Sequence, residues 1–359
     1  MAMLDEIHPK LGQPATDPNS YSQGNNSGHN IVIACLPSGI YGTTSATTVV
    51  SHLRTTFPAV QYGLLVGLGG GVPNVQNNDI RLGDVVVSKP VDTYPGVIQY
   101  DFGRIRGMGE FQPVGMLFPP PTTFLTAIAH IQASEMKTNS RCLIEIARDV
   151  LEGNPNMVAR FSRPLGASRD RLFEPSYQHV SDHGTEGGDP CAGCIVQHEI
   201  IRARRTIDDP TIHYGTIASG NQLMRDSQLR DLIAQESNVL CFEMEAAGIM
   251  DQLPSVVIRG ICDYSDSHKN KEWQGYATLN AAAFAKHLLL HLPLGRPPAL
   301  DNKSTGAAQC VVPFVRNAQF TGREQQIREI EDKGVLSDRV AIFGLGGVGK
   351  TQVALELVY

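Results

Sequence analysis

Apolar runs of strand length alternate with helical patterns along most of this chain. Strands are predicted at residues 31–36, 62–68, 84–88, 213–219, 239–243 and 255–261, and helices at 45–56, 122–136, 140–151 and 278–292. Strands that alternate with helices form a parallel or mixed sheet whose two faces are covered by the helices. The pattern therefore predicts an α/β fold. Residues 1–10 are predicted to be the remnant of a helix, and a possible edge strand lies near Tyr21.

The composition is that of a globular protein, with 359 residues, 42% hydrophobic residues and a net charge of −6. No apolar stretch reaches the roughly 18 residues that a membrane span needs, and the amino-terminal residues contain no hydrophobic signal core. Acidic and basic residues are interspersed, without the basic stripe that favours nucleic acid. The seven cysteines are spread along the chain and are expected to be reduced. We therefore expect a cytoplasmic protein that binds neither membranes nor nucleic acid.

Changes in composition divide the chain into three predicted segments. Residues 1–295 form the α/β domain, residues 296–313 are a linker, and residues 314–359 begin a second domain. Residues 344–351 of that last segment read Gly-Leu-Gly-Gly-Val-Gly-Lys-Thr, the GxxxxGK[ST] pattern of a phosphate-binding loop. The nucleotide-binding candidates are therefore Gly344, Gly349, Lys350 and Thr351, with Lys350 on the terminal phosphates and Thr351 on Mg²⁺. Because only eight residues follow Thr351, we expect ATP or ADP and Mg²⁺ to bind only in a full-length domain.

Two short acidic segments follow predicted strands of the first domain. They read Cys-Phe-Glu-Met-Glu-Ala-Ala at 241–247 and Val-Ile-Arg-Gly-Ile-Cys-Asp-Tyr-Ser-Asp at 257–266. If the strands are parallel, Glu243, Glu245 and Asp263 lie at their carboxyl ends, where α/β sheets place their sites. Cleavage of a purine from ribose needs a proton for the leaving base and stabilisation of a cationic sugar. Asp263, which has apolar neighbours, is predicted to supply the proton, and Glu245 to stay ionised and bind the ribose. The alternative is that both acids only cap helices or turns.

Six ordered blocks add a family resemblance. They read Ser-Gly-Ile-Tyr-Gly at 38–42, Val-Gly-Leu-Gly-Gly-Gly at 66–71, Arg-Leu-Gly-Asp-Val-Val-Val-Ser at 81–88, Ile-Ala-Ser-Gly-Asn at 217–221, Phe-Glu-Met-Glu-Ala-Ala at 242–247 and Arg-Gly-Ile-Cys-Asp at 259–263. Over residues 17–292 the chain resembles the purine nucleoside phosphorylase and uridine phosphorylase superfamily, which includes nucleosidases. The resemblance implies a three-layer α/β/α fold with a mixed central sheet.

The resemblance also implies roles for individual residues. Asp263 would be the acid that protonates the purine and Glu245 the ribose ligand, and no cofactor is required for the cleavage. The substrate-binding residues that it implies are Gly39, Gly67, Gly69, Gly70, Leu223, Met224, Glu243 and Met244. Related domains complete their pocket with an aromatic residue of a neighbouring subunit, and residues 99–102 lie in the corresponding segment. A homo-oligomer that binds a purine nucleoside or nucleotide is therefore expected.

Two departures from the superfamily pattern bear on the reaction. Leu65 occupies the position where phosphorylases have a phosphate-binding arginine, which favours hydrolysis over phosphorolysis. The water-positioning glutamate of the hydrolytic relatives, and the strand before it, would lie upstream of Ala2, so we expect both to be missing. Within the superfamily the chain is most similar to nucleosidase-like domains of fungal NLR or STAND-type proteins, some relatives of which cleave adenine from ATP. The last segment resembles the opening of an NB-ARC domain.

Three functions stay open at this point. The first is a purine nucleosidase that acts on adenosine nucleotides such as ATP, and the second is a phosphate-dependent nucleoside phosphorylase. The third is a catalytically degenerate domain that binds nucleotides or partners. For a triphosphate, basic residues near the 5′ side of the sugar would be needed, and the candidates are Lys89, Arg104, Arg106, Arg169, Arg171, Lys269 and Lys271.

A Cys/His set in the irregular stretch 152–210 suggests a further site. Cys191 and Cys194 form a C-x-x-C pair that follows His179 and His183. Two thiolates and two imidazoles make a tetrahedral zinc site. The alternative is that these are reduced loop cysteines.

Overall fold

A computed structural model describes residues 1–105, 107, 111–138, 141–164, 170–180, 191–205, 209–269, 271–294, 322–323 and 327–328. The chain divides into two units, Met1–Leu294 and Gly295–Tyr359. The predicted phosphate-binding loop at 344–351 lies outside the described residues. Among those residues, none of the helices combines the length and the apolar composition needed to cross a bilayer.

The first unit alternates strands with helices. Its strands are β1 Glu6–Ile7, β2 Tyr21–Asn26, β3 His29–Ala34, β4 Gly63–Gly71, β5 Val85–Ser88, β6 Val97–Gln99, β7 Gly103–Ile105, β8 Phe111–Pro113, β9 Ile212–Ser219, β10 Val239–Glu243 and β11 Ser255–Asp263. Its helices are α1 Thr43–Thr56, α2 Thr122–Thr138, α3 Arg141–Gly153, α4 Val158–Phe161, α5 Ser227–Ser237 and α6 Trp273–Leu290, with short 3₁₀ turns at Pro155–Met157, Val196–His198 and Ala246–Gly248.

Six strands form the central sheet in the order β10-β4-β11-β5-β9-β6, and β9 pairs with β10 as well. The strands β10, β4, β11, β5 and β9 therefore close into a ring. Strand β11 is parallel to β4 and antiparallel to β5. The predicted mixed α/β fold with a mixed central sheet is confirmed.

The two strands that end in acidic residues are not a parallel pair. Strand β4 lies between them, parallel to β11 and antiparallel to β10. A parallel crossover needs a dozen or more residues, usually a helix. The connection from Glu243 to Ser255 contains only the 3₁₀ turn Ala246–Gly248 as regular structure. The prediction of parallel strands is therefore wrong for this pair, although Phe242 and Asp263 both lie opposite Gly70.

Helix α6 packs along the centre of the sheet, against β11, β4 and β5. It begins at Trp273, five residues before the predicted start, and apolar residues such as Phe284 and Leu288 are fully buried. At Gly260 a Cβ atom would overlap the carbonyl of Ala277, so the absence of a side chain allows strand and helix to approach closely. This packing holds β11, and with it Asp263, at the core of the molecule.

The amino-terminal residues form a strand rather than the predicted helix remnant. Strand β1 pairs with β2, and β2 pairs with β3, in an antiparallel sheet of three strands. The backbone N–H groups of Asp5 and His8 donate to carbonyls of β2. These hydrogen bonds to a distant segment outweigh the local helix preference predicted for residues 1–10. The possible edge strand near Tyr21 is the middle strand of this sheet.

Candidate active site

Asp263 is the last residue of β11 and lies among polar partners. Its Oδ1 accepts from the backbone N of Ser265 at 2.9 Å, and its Oδ2 accepts from Nζ of Lys269 at 3.1 Å. The side chain is 12% exposed. The sequence suggested apolar surroundings, but the chain turns back after the strand through Ser265, whose φ is +53°. This turn brings a backbone donor and an ammonium group to the carboxylate.

Arg259 lies in the middle of the same strand and is 3% exposed. Its Nη2 donates to Oε2 of Glu243 and, at 3.2 Å, to Oε2 of Glu245. A buried charge of this kind is tolerated only when it is paired. The arginine therefore joins the two glutamates of the 241–247 segment.

Glu243 is occupied by interactions within the protein. Besides Arg259, its carboxylate accepts from the backbone N of Glu245 at 3.1 Å and of Ala246 at 3.0 Å. Its side chain has no exposed surface. The resemblance implied a substrate contact for Glu243, and the structure places it instead beneath the site, where it orders the turn that presents Glu245.

Glu245 is the glutamate that stays partly accessible, with 16% of its side chain exposed. Burial raises its pKa above the ordinary value of a glutamate, and Glu243 adds to the rise. The guanidinium of Arg259 and the backbone N–H of Gly42 lower the pKa and offset part of this effect. The net effect is a raised pKa, so Glu245 is protonated more readily than the sequence suggested. Gly42 is the residue before α1, so Glu245 lies near the start of that helix.

The glycines predicted to line the site lie within strand β4 rather than in a turn after it, because β4 stays paired as far as Gly71. A Cβ at Gly67 would overlap Nη1 of Arg259. One at Gly70 would overlap Oγ of Ser265 and lie 2.7 Å from Oδ1 of Asp263. These glycines therefore make room for the site's own charged side chains.

The loop after β9 connects three parts of the site. The backbone N of Asn221 donates to Oδ2 of Asp101 at 2.6 Å, and its side-chain Oδ1 accepts from the backbone N of Thr43 at 3.0 Å. Oη of Tyr100 donates to the carbonyl of Gln222 at 2.6 Å. The loop that carries the predicted purine contacts is thus held between β6 and the N-terminus of α1.

The remaining predicted contacts differ in exposure. Leu223 is 52% exposed, whereas Met224 is buried against Tyr100 and Phe242. Met244 is half-buried. Gly39 lies in an open loop with a φ of +77°, and apart from its chain neighbours no atom of the described residues lies within 4 Å of where its Cβ would be. Leu223 is therefore more accessible to a ligand than Met224.

Phe102 is 58% exposed beside this loop. The expected oligomer, in which an aromatic residue of this segment completes the pocket of a neighbouring subunit, stays a prediction.

Of the seven basic candidates for 5′ phosphates, Arg106 and Arg169 lie outside the described residues. Nε of Arg171 pairs with Glu199 at 2.9 Å, Nζ of Lys89 donates to Gln132 at 3.0 Å, and Lys269 pairs with Asp263. The structure therefore places one of them, Lys269, on the predicted catalytic acid.

Sequence reasoning missed the parts that Arg259 and Asn221 play in the site, and it assigned Lys269 to 5′ phosphates without its pairing with Asp263. Arg259 carries a signal, because it is the one charged residue among the apolar residues 255–261 and a charge in a buried strand needs a partner. The role of Asn221 depends on contacts with residues far away in the sequence, and that of Lys269 on the chain reversal at Ser265.

In the predicted zinc cluster, His179, Cys191 and Cys194 come together. His183 lies outside the described residues.

Comparisons with solved structures find low sequence identity. The 5′-methylthioadenosine/S-adenosylhomocysteine nucleosidase of Neisseria meningitidis is 16% identical with a TM-score of 0.48, over 81% of this chain and 92% of that chain. The futalosine hydrolase of Helicobacter pylori is 16% identical with a TM-score of 0.44, over 80% of this chain and 88% of that chain. No protein-family model matches the chain.

Sequence comparisons find two kinds of relative. ATP nucleosidase Cap17 of Escherichia coli is 31% identical over 113 residues, which cover 30% of this chain and 19% of that protein. A nucleotide-binding leucine-rich repeat (NLR)-like protein of Hyaloscypha variabilis is 42% identical over 366 residues, which cover 100% of this chain and 34% of that protein. The chain is thus a homologue of this NLR-like protein and spans about a third of its length.

Proposed function

We propose that the chain hydrolyses the N-glycosidic bond of a purine nucleotide and releases adenine from adenosine nucleotides such as ATP. The observation that carries the proposal is the placement of two largely buried carboxylates, Asp263 and Glu245, around the glycine strand β4. Two carboxylates in different surroundings can take the two roles that glycosidic cleavage requires.

In the proposed reaction, Asp263 delivers a proton to the departing purine, so that the base leaves as a neutral molecule. Glu245 accepts hydrogen bonds from the ribose hydroxyls and stabilises the positive charge that develops on the sugar. Water then adds to the anomeric carbon, and its proton is lost to solvent. Lys269 must leave Oδ2 of Asp263 before that oxygen can carry the transferred proton, so binding of the substrate is expected to displace it.

The surroundings of Arg259 support hydrolysis over phosphorolysis. A phosphorylase needs a cation that is available to bind inorganic phosphate. The guanidinium beside Gly67 belongs to Arg259, and Glu243 and Glu245 already neutralise it. Leu65, at the position of the phosphate-binding arginine of phosphorylases, packs against the apolar core.

The similarity to an ATP nucleosidase over 113 residues supports a nucleotide as the substrate. The test is chromatographic detection of adenine after incubation of the protein with ATP, ADP, AMP and adenosine, with and without inorganic phosphate. We expect release from ATP that is independent of phosphate. Asp263→Asn should lower the rate by about 10²- to 10⁴-fold.

The matched control is Asp251→Asn, which changes an exposed aspartate whose Oδ1 accepts a backbone hydrogen bond from Phe118 at 3.2 Å. It should leave the rate unchanged. Release that needs phosphate and yields ribose 1-phosphate would indicate a phosphorylase. Nucleotide binding without release of base from any of the four compounds would indicate a binding domain.

A further inference from the structure

Three side chains that commonly bind metals meet in the insert between α4 and β9. One ligand atom each from His179, Cys191 and Cys194 lies within 4.8 Å of the other two. The cysteines are 7% and 5% exposed, and neither is in a disulfide. We propose that these three residues bind a structural zinc ion. The ion would fasten the insert to the loop that follows Asp263.

The chemical types of the three ligands indicate which metal ion the site would bind. Two thiolates and an imidazole are ligands of Zn²⁺, whereas Mg²⁺ and Ca²⁺ prefer oxygen. With Zn–S bonds of about 2.3 Å and Zn–N bonds of about 2.0 Å, tetrahedral geometry separates the donors by roughly 3.5 to 3.8 Å. Because the ligand atoms lie within 4.8 Å of one another, they need to approach by at most about 1.3 Å to bind the ion, which a change of side-chain torsion supplies.

The C-x-x-C turn is held in place by its surroundings. The backbone N of Cys194 donates to the carbonyl of Cys191 at 3.0 Å, and Nη1 of Arg171 donates to the same carbonyl at 2.7 Å. Both cysteines pack against Phe173 and, beside it, Tyr177. The thiols are thus presented together in an apolar environment before any metal binds, which lowers the entropic cost of forming the site.

The cluster also contacts the loop after the proposed catalytic acid. The backbone N of His179 donates to Oγ of Ser267 at 2.9 Å, and its ring meets that of His268 edge-on at 5.4 Å. Phe173 stacks on the same His268 at 4.2 Å. Lys269, the next residue, reaches Asp263. Zinc at His179 would therefore restrict the loop from Asp263 to Lys269. The importance of this loop for catalysis rests on the proposed function.

Four-coordinate zinc takes one donor more. The sequence predicts His183, which lies outside the described residues. Within them, His268 is the candidate, because it is 7% exposed and its ring lies 5.4 Å from that of His179, although Asp266 lies 3.7 Å from its Nδ1.

Metal analysis of the untagged protein, purified in reductant, tests the site directly. We expect about one zinc per chain, and loss of the zinc in His179→Ala, Cys191→Ser and Cys194→Ser. Two matched controls should keep it. Cys35→Ser removes an exposed cysteine outside the cluster, and His198→Ala removes a histidine of the same insert whose ring stacks on Tyr177. Wild-type protein with less than about a tenth of an equivalent of zinc would overturn the proposal.

A second measurement covers the case in which the cysteine variants do not fold. Wild-type protein is treated with a chelator and titrated with Co²⁺, which gives a thiolate charge-transfer absorption when cysteines coordinate it. We expect this absorption to appear and to disappear on addition of Zn²⁺, and zinc but not Mg²⁺ to restore the melting temperature. No absorption in chelated protein whose thiols titrate as reduced would overturn the proposal, as would a Cys191–Cys194 disulfide in the protein purified without reductant.

The outcomes separate this proposal from the proposed function. Asp263→Asn should bind zinc normally and release adenine about 10²- to 10⁴-fold more slowly than the wild-type protein. Wild-type protein that contains zinc but releases no adenine would contradict the function and leave the metal site intact. Active protein without zinc would contradict the metal site alone.

Discussion

Arg259, in the middle of strand β11, donates to Oε2 of Glu245 at 3.2 Å. The glutamate expected to bind ribose is thus part of a buried network that begins at an arginine four residues before Asp263. The same arginine pairs with Glu243, so a single cation holds both glutamates of the 241–247 segment.

Arg259→Met is expected to destabilise the fold strongly. The side chains of Arg259 and Glu243 are 4% and 0% exposed, and removal of one partner leaves the other buried and unpaired. Such a loss costs about 3–5 kcal/mol. Urea denaturation measures it. The double variant Arg259→Met with Glu243→Gln removes both charges and should regain part of the loss. If it is no more stable than the single variant, the pairing does not explain the effect.

The pH dependence of stability should show the effect of the raised pKa of Glu245. Because its pKa is raised above the ordinary 4.5, chiefly by burial, the folded state holds this proton more tightly than the unfolded chain does. Compared with Glu245→Gln, the wild-type protein should be relatively most stable below about pH 4.5, lose stability as the pH rises through the raised pKa, and change no further above it. Urea denaturation over this range tests the prediction, with the exposed Glu236→Gln as control. A difference that grows in favour of wild type with rising pH would contradict it.

Gly70→Ala is expected to impair the proposed reaction. The new methyl group would overlap Oγ of Ser265 and lie 2.7 Å from Oδ1 of Asp263, so the carboxylate must move. A displacement of about 1 Å can cost about 100-fold in rate, and we expect a loss of that order in kcat/KM. Gly12→Ala is the control, because no atom lies within 4 Å of the position of its Cβ.

A companion variant isolates the cause in Gly70→Ala. Replacement of Ser265 by glycine in the same chain removes the overlap with Oγ but leaves the close approach to Asp263. The double variant should stay impaired. Full recovery would show that Ser265, and not the displaced carboxylate, limits the rate.

Asp84→Asn should destabilise the protein at neutral pH. Burial raises the pKa of Asp84, but hydrogen bonds from Arg205 and His213 outweigh it and hold the pKa below 3.8. Its contribution to stability is therefore present at neutral pH and is lost as the pH falls through that lowered value. Loss of the charge leaves Arg205 without its buried partner, at a cost of about 3–5 kcal/mol. Thermal and urea denaturation measure this, and Asp251→Asn should show no comparable loss.

Much of the secondary structure could be predicted from the sequence. Strand β10 coincides with the predicted range 239–243, and the other predicted strands overlap those of the structure. Burial on both faces produces apolar runs that are visible locally. Helix α5 was missed because it is polar, although Asp226, whose Oδ1 accepts from the backbone N of Gln228 and Leu229, is a recognisable N-cap.

The sequence predicts which residues form the candidate site better than it predicts how they are arranged. The sequence places acids directly after two buried strands, and the structure brings Glu245 and Asp263 to the two sides of β4. The direction of β10 relative to β11 could not be predicted, because it depends on which strand lies between them. The same holds for the partners of each acid, since Lys269 reaches Asp263 only after the chain reverses at Ser265.

The α/β class, most element positions and the acidic residues after the strands can be predicted from the chain's residues, because apolar periodicity and short motifs are local properties. That β4 separates the two acidic strands, that the Glu243 side chain is fully buried, and that His179 joins Cys191 and Cys194 follows from the folded structure alone. These features arise from contacts between residues far apart in the chain, and their energies depend on burial and pairing that exist only in the folded molecule.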